Sequence, residues 1–497
     1  MAPTPSDGCV LKVQNFQIGI VILAGIALAL LARVLLLELS AIGPDTSWIT
    51  MLAKQAWLGA ELYTDFDDPN LPSSFWVVMP AVWMEIYLGL QIDQALVTWM
   101  CIVTFCVTFG IGQIMRQSGT SFAEVLGTVL ILSTFSVYGV AYDIGQREHF
   151  VALLLVLVIV VQVSEARSGT ASRVLLIVAG VAGALALSIK PFYGLCLIGA
   201  ELACWTNGAL HKRPSRTLLS VAAFSVILAA LQLALYPQIL TFLSDRKMYF
   251  SFTRMPGFLD VFLFYLGLCA LMIIGRPSLL RGREAIASNA FLFAALGGIA
   301  AYLVQWKGWM YHGLPFYVFA LLFLTAIMAR VRQQGPISFL ALSFILALTF
   351  VGYAYVQKAA FVDRSKGAGE LFAGVSGPVV MLTDGIDMAF PAAAFHEGGW
   401  GIRYPSLYLI QGLQTQPENP ETSELESRFR KNIAEDLHKS QPELIIARTD
   451  SVVGGDLSVG MLEWLMQDPA FAEIMEGYEE SGKMEHGTIF YRRDRRP

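Results

Sequence analysis

Charge is scarce in this sequence. Only 15% of its 497 residues are Asp, Glu, Lys or Arg, while 55% are hydrophobic. A soluble chain of this length needs more charge to cover its surface, so the composition points to a membrane protein. The net charge of −5 is small and dispersed, which argues against nucleic acid as a partner. The basic run Arg492-Arg493-Asp494-Arg495-Arg496 reads as a solvated terminus. Cysteine is also sparse. Five of the six, Cys101, Cys106, Cys196, Cys204 and Cys269, lie in apolar segments, and with Cys9 they form no metal-ligand pair. No Walker, Rossmann or nucleophile-elbow motif is present, and no internal repeat of the kind that marks many transporters. Ile18–Leu39 is too long for a cleavable signal and has no small-residue cleavage site, so it is expected to be an uncleaved anchor.

Apolar segments are what the sequence does have. A hydrocarbon core takes about 20 helical residues to cross, which predicts about eleven spans. They fall at roughly 17–39, 93–115, 121–140, 149–164, 173–189, 191–206, 218–236, 257–275, 287–304, 311–329 and 337–357. The apolar stretch Phe75–Gln91 is interrupted by Pro80 and Glu85 and is expected to lie at the interface. With a cytoplasmic N-terminus, the inside loops carry Arg116, Arg167, Arg173, Lys212, Arg213, Arg216, Arg276, Arg281, Arg283, Arg330 and Arg332. Counting Phe75–Gln91 as a span would put all of these outside, against the positive-inside rule. The expected organisation is a cytoplasmic tail at 1–16, a transmembrane domain at 17–357 with an outer loop at 40–92, and a small extracytoplasmic α/β domain at 358–497. In that last domain Val379–Thr383, Leu444–Ala447 and Thr488–Tyr491 read as strands, and Glu424–Lys439 and Met461–Met466 as helices.

The first outer loop is unusual. "GPDTSWITMLAKQAWLGAELYTDFDDPNLPSSFW", Gly43–Trp76, crowds acids and tryptophans where a short turn would serve. Gly43-Pro44 stops the first span, and Asp45 is placed to cap an amphipathic helix running to about Gly59. Its apolar face holds Trp48, Ile49, Leu52, Ala56 and Trp57; Ser47, Thr50, Lys54 and Gln55 take the other. Taken locally, Asp65, Asp67 and Asp68 read as a solvated turn before Pro69. They resemble no complete calcium loop.

An acid at the outer end of the first span, then an amphipathic helix, "GAELYTDFDDPNLP" and an interfacial helix, together resemble the GT-C superfamily of membrane glycosyltransferases. The nearer resemblance is to protein O-mannosyltransferases and lipid A aminoarabinose transferases. It covers roughly Phe16–Val356. Asp45 matches the position of that group's catalytic aspartate, and Asp67-Asp68-Pro69-Asn70-Leu71-Pro72 corresponds loosely to its D-x-HPPL element, with no His-Pro-Pro present. The resemblance implies a polyprenyl-phosphate-linked sugar as donor.

Several expected outer loops carry cations. "YDIGQREHF" sets Asp143, Arg147, Glu148 and His149 at the mouth of a span. "SIKPFYG" sets Lys190 at a proline-broken turn, and "QWKGWMYHGLP" sets Lys307 and His312 in an aromatic belt. Arg246, Lys247 and Arg254 break the positive-inside pattern locally. Charge between two spans sits in water or has a purpose.

The expected protein is a glycosyltransferase of a cell (inner) membrane, moving a hexosyl or pentosyl unit to an extracytoplasmic glycan, lipid or protein hydroxyl with inversion. Asp45 is the expected base. Arg147, Lys190, Lys307, His312 and Arg254 are expected at the donor phosphate. Asp67, Asp68, Trp400 and Arg403 are expected at the acceptor. No metal site is legible, and the sequence leaves a divalent-ion requirement open. A transporter or flippase for lipid-linked glycans is the alternative, and an envelope assembly subunit a third.

Overall fold

In the computed structural model the described residues are 5–36, 42–140, 143–206, 213–240, 267, 285–305, 307, 309–331, 366–415, 419–449, 451, 459–484 and 487–495. The helices at the membrane end of the chain are α1 (Pro5–Leu36), α2 (Pro44–Trp57), α3 (Ser73–Trp76), α4 (Met79–Leu88), α5 (Ile92–Gln117) and α6 (Phe122–Thr134). They continue as α7 (Arg147–Ser168), α8 (Arg173–Ile189), α9 (Gly194–Thr206), α10 (Arg216–Leu235), α11 (Ile286–Gln305) and α12 (Leu314–Val331). The expected spans at 257–275 and 337–357 lie outside the described residues; each of the others falls on one of these helices. Five of the described helices are long and apolar enough to cross a membrane.

Two compact units divide the chain, and not along its length. The first comprises Met1–Ala41, Pro72–Gln232 and Gly257–Phe361; the second, Ile42–Leu71, Leu233–Pro256 and Val362–Pro497. The linear division at residue 357 therefore differs from the observed one, because Ile42–Leu71 makes its contacts with the C-terminal residues.

In the first unit, α7 is apolar on every side and buried along nearly its whole length, as expected of a central helix. Among the described residues the most extensive helix contact is between α9 and α11. A Cβ on Gly199 would sit 2.2 Å from the Phe293 carbonyl oxygen, and one on Gly297 would sit 2.3 Å from that of Leu195. Small residues let helix backbones approach closely where lipid gives no hydrophobic drive.

Two glutamates fix the start of α10. Glu165 of α7 accepts from the backbone N–H groups of Arg216 (2.8 Å) and Thr217 (3.0 Å) and from the Thr217 hydroxyl. Glu201 of α9 accepts from the Ser215 N–H (2.6 Å) and hydroxyl (2.8 Å), and from Gln162 Nε2. Both carboxylates are buried. They take up donors that a helix N-terminus otherwise leaves unmet, and sit where the helix dipole favours negative charge. In the sequence this segment stands out only by its basic residues Lys212, Arg213 and Arg216.

The second unit holds a four-stranded sheet in the order β1-β2-β4-β3. Strand β1 (Val379–Leu382) runs parallel to β2 (Leu444–Arg448); β3 (Tyr478–Met484) and β4 (Gly487–Arg492) complete it antiparallel. Helix α15 (Pro420–Ser440), after the short α13 (Lys366–Phe372) and α14 (Ile410–Thr415), begins at an Asn419/Thr422 capping box. It buries Leu425, Phe429, Ile433 and Leu437 at four-residue spacing.

Candidate functional site

In the first unit, three turns bring the predicted cations together. Pro191 has no N–H and pushes the residue before it out of the helical region. Lys190 accordingly ends α8 in an extended conformation, and Pro191–Tyr193 forms one 3-10 turn before α9. A second 3-10 turn, Met310–Gly313, leads into α12. The Tyr193 hydroxyl donates to the His312 carbonyl at 2.7 Å and ties the two turns together. Arg147, Glu148 and His149 form the first turn of α7, and all three are buried.

Lys190 lies at the centre. Its Nζ is 3.0 Å from Glu148 Oε1, 3.3 Å from His312 Nε2 and 3.4 Å from Gln305 Oε1. His312 Nε2 is also 3.4 Å from Glu148 Oε1. With Lys190 as donor, Nε2 of His312 accepts, and its proton is assigned to Nδ1. Lys307 is 97% buried and lies 6.0 Å from the centre of the Trp309 ring. Burial, reinforced by the neighbouring charge of Lys190, pushes the Lys307 ammonium down to about 7. Arg147 is near enough to act electrostatically on Tyr193 and His312. The rings of Trp309 and Tyr311 wall His312 at centroid distances of 5.3 and 4.7 Å.

Four cation-forming side chains and one carboxylate are thus gathered among apolar helix ends. Ionised groups removed from water are costly unless paired, and Glu148 pairs with Lys190. The arrangement suits an anion with several acceptor oxygens. Glu148, read from the sequence as one of a charged group at the mouth of a span, is fully buried and directed at Lys190. Tyr193 and Gln305 were not singled out, because nothing local marks a residue whose partner lies more than a hundred positions away. Arg254 lies outside the described residues.

The second unit contains the acidic loop. Asp45 is the second residue of α2, whose N-cap is Gly43 with no side-chain cap. It is therefore not the helix cap expected from sequence, because Pro44 already occupies the first helical position. Asp68 is buried, not a solvated turn. It accepts from the Trp48 indole N–H at 2.5 Å and, through its other oxygen, from Asn70 N (2.8 Å) and Nδ2 (2.6 Å). Asp67 donates its backbone N–H to the Arg403 carbonyl at 3.0 Å and accepts from the Tyr408 hydroxyl at 3.3 Å. Arg403 itself binds Asp436 through its backbone N–H, Nε and Nη2, at 2.7 to 3.0 Å. The Trp400 indole donates to the Tyr404 carbonyl, and its ring lies 5.2 Å from that of Phe390, which in turn meets Trp48 at 5.3 Å. Among the described residues, no group of three or more His, Cys, Asp or Glu is arranged to hold a metal ion.

No protein-family model matches the chain, and no curated protein does. Among solved structures it is similar to ArnT from Cupriavidus metallidurans bound to undecaprenyl phosphate. That likeness has a TM-score of 0.52 at 12% identity, over 94% of this chain and 97% of the other. An Archaeoglobus fulgidus oligosaccharyltransferase tethered with an acceptor peptide gives 0.41 at 10% identity, over 93% of this chain and 72% of the other. The archaeal oligosaccharyltransferase AglB in complex with an inhibitory peptide and a dolichol-phosphate gives 0.43 at 9%, with the same coverage. The last two likenesses are too weak to carry a conclusion. The first shows a GT-C fold, and at that identity it leaves the chemistry to the residues.

Proposed function

We propose that this protein is a membrane glycosyltransferase that moves a sugar from a polyprenyl-phosphate carrier to an acceptor hydroxyl outside the cytoplasm. The observation that carries the reading is the cluster in which Lys190 and His312 meet the buried Glu148 carboxylate, with Lys307 close enough to act on Lys190. The GT-C fold supports it, as does the undecaprenyl phosphate bound by a protein of that fold.

Arg147, Lys190, Lys307 and His312 bind the donor phosphate and stabilise the charge it gains as the glycosidic bond breaks; Arg254 is assigned to the same task. The Asp45 carboxylate takes the proton from the acceptor hydroxyl as that oxygen attacks the anomeric carbon. Such base catalysis contributes about 10²–10⁴-fold. A single displacement inverts the anomeric centre. Asp67, Asp68, Trp400 and Arg403 shape the surface that meets the acceptor. The N-terminus is cytoplasmic and the C-terminal residues extracytoplasmic.

Purified protein incubated with a radiolabelled polyprenyl-phosphate sugar and envelope acceptors tests the reading. Label should pass to the acceptor and polyprenyl phosphate should accumulate. Movement of intact donor across a vesicle membrane without bond cleavage would instead identify a flippase.

A further inference from the structure

The donor-phosphate reading leaves one group unexplained. Glu148 is a fully buried carboxylate placed among the cations that an incoming phosphate needs. Its Oε1 faces Lys190 and His312, while its Oε2 has no hydrogen-bond partner among the described residues. Removing a carboxylate from among the cations would make any phosphate site more attractive to anions. Its presence therefore makes the cradle deliberately weaker for anions than the cations alone would make it.

The reaction changes the charge of the lipid phosphate. The donor is a phosphodiester with one negative charge. The acceptor oxygen forms a bond to the anomeric carbon, the bond from that carbon to the phosphate oxygen breaks, and its electron pair leaves with the phosphate. The acceptor proton goes to the base. The departing lipid is then a phosphomonoester that carries close to two charges at neutral pH, since its second pKa is about 6. Repulsion from a fixed neighbouring anion grows in proportion to ligand charge. A buried carboxylate thus penalises the product about twice as heavily as the donor.

We propose that Glu148 is a specificity-determining residue: a built-in counter-anion that keeps the cationic cradle from retaining the doubly charged product in preference to the singly charged donor. The proposal rests on the cradle being the donor-phosphate site. Lys190 and His312 face Glu148 directly and Tyr193 feels its charge; Arg147 precedes it on its own helix, and Lys307 acts on Lys190 and His312. Lys307 changes charge near neutrality, so comparisons are made between proteins at one pH, where its contribution is common to both.

The test uses full-length protein in nanodiscs with two probes, farnesyl phosphate (a monoester) and methyl farnesyl phosphate (a diester). At about pH 8, where the monoester is doubly charged, Glu148→Gln should bind the monoester about tenfold or more tightly than wild type does, a shift of about one decade in Kd. The diester should gain distinctly less, and at about pH 5.5, where both probes carry one charge, the gains should converge. In turnover, the variant should show stronger product inhibition and a lower kcat with an undiminished single-turnover rate. A variant that binds the monoester at pH 8 no better than wild type overturns the proposal, and marks Glu148 as a clamp that merely orders Lys190. Should the variant not fold, wild type decides: at pH 8 it should hold the monoester no more than about tenfold more tightly than the diester, and a larger preference overturns the proposal. Lys190→Ala separates the two levels of inference. If it leaves both probes unaffected, the phosphate assignment itself fails; if it weakens both while Glu148→Gln does not tighten the monoester, only the role of Glu148 falls.

Discussion

The carboxylate of Asp68 accepts the indole N–H of Trp48 at 2.5 Å, and so pins the acidic loop to the helix that precedes it by twenty residues. Both side chains are buried. The loop between the first span and α3 is held by its acids, not merely decorated with them. Removing the acceptor leaves a buried donor unmet, which costs about 1–3 kcal/mol. Asp68→Ala should therefore lower the thermal stability of the second unit by that amount, and Trp48→Phe by less. A double-mutant cycle followed by tryptophan fluorescence checks the coupling, and strictly additive losses would show that the bond contributes nothing of its own.

In the proposed mechanism Asp45 is the base. It stands in the first turn of α2 but does not cap it. Asp45→Asn should cost only the helix-dipole contribution, about 0.3–1 kcal/mol, while transfer falls about 10²-fold or more through loss of the base. Rate and melting temperature measured on the same preparation separate the two effects. Wild-type transfer by Asp45→Asn would move the base to Asp67, Asp68 or Asp143.

Lys307 predicts a pH dependence with a definite sign. Its folded pKa of about 7 lies below the unfolded value of 10.5. Between those values the unfolded chain binds more protons, so this group makes stability rise with pH across that window and adds no slope below about 7. Lys307→Met should abolish that slope in denaturation measured from pH 7 to 10. A bound phosphate favours the ammonium, so polyprenyl phosphate binding at pH 8 should take up a proton. Calorimetry in two buffers of different ionisation enthalpy reads this directly, and equal heats in both would count against it.

Gly199 tests the crossing of α9 and α11. A methyl group there would overlap the Phe293 carbonyl, and overpacking of this kind costs about 1–3 kcal/mol. Gly199→Ala should lower the melting temperature and, by parting α9 from α11, weaken polyprenyl phosphate binding. A stable variant with unaltered binding would show that the two helices separate without disturbing the turns they carry.

The membrane helices were legible because each announces itself in its own residues: a run of apolar side chains needs no partner to be recognised. The same holds for Val379–Leu382 and Leu444–Arg448, buried strands with continuous apolar sequence. Strand β3 was missed because "YEESGKM" is polar and neither alternates nor runs apolar; it lies at the sheet edge, where pairing with β4 alone defines it. The cations of the cradle were legible as residues that do not belong in apolar surroundings. Glu165 and Glu201 were not, and Glu148 was legible only as one of a charged group, since each takes its meaning from a group far away in the chain. Asp68 shows the same limit, for its neighbours Pro69 and Asn70 signal a surface turn while Trp48 draws it inside.

The glycine contact between α9 and α11 has a further consequence. These helices carry the two turns that hold Lys190 and His312, and backbones in contact leave no slack for those turns to drift apart when no ligand is present. The cradle is therefore preorganised. Its basic side chains are brought together once, while the chain folds. On the proposed function, a lipid phosphate would meet a site already assembled, with little reorganisation left to make.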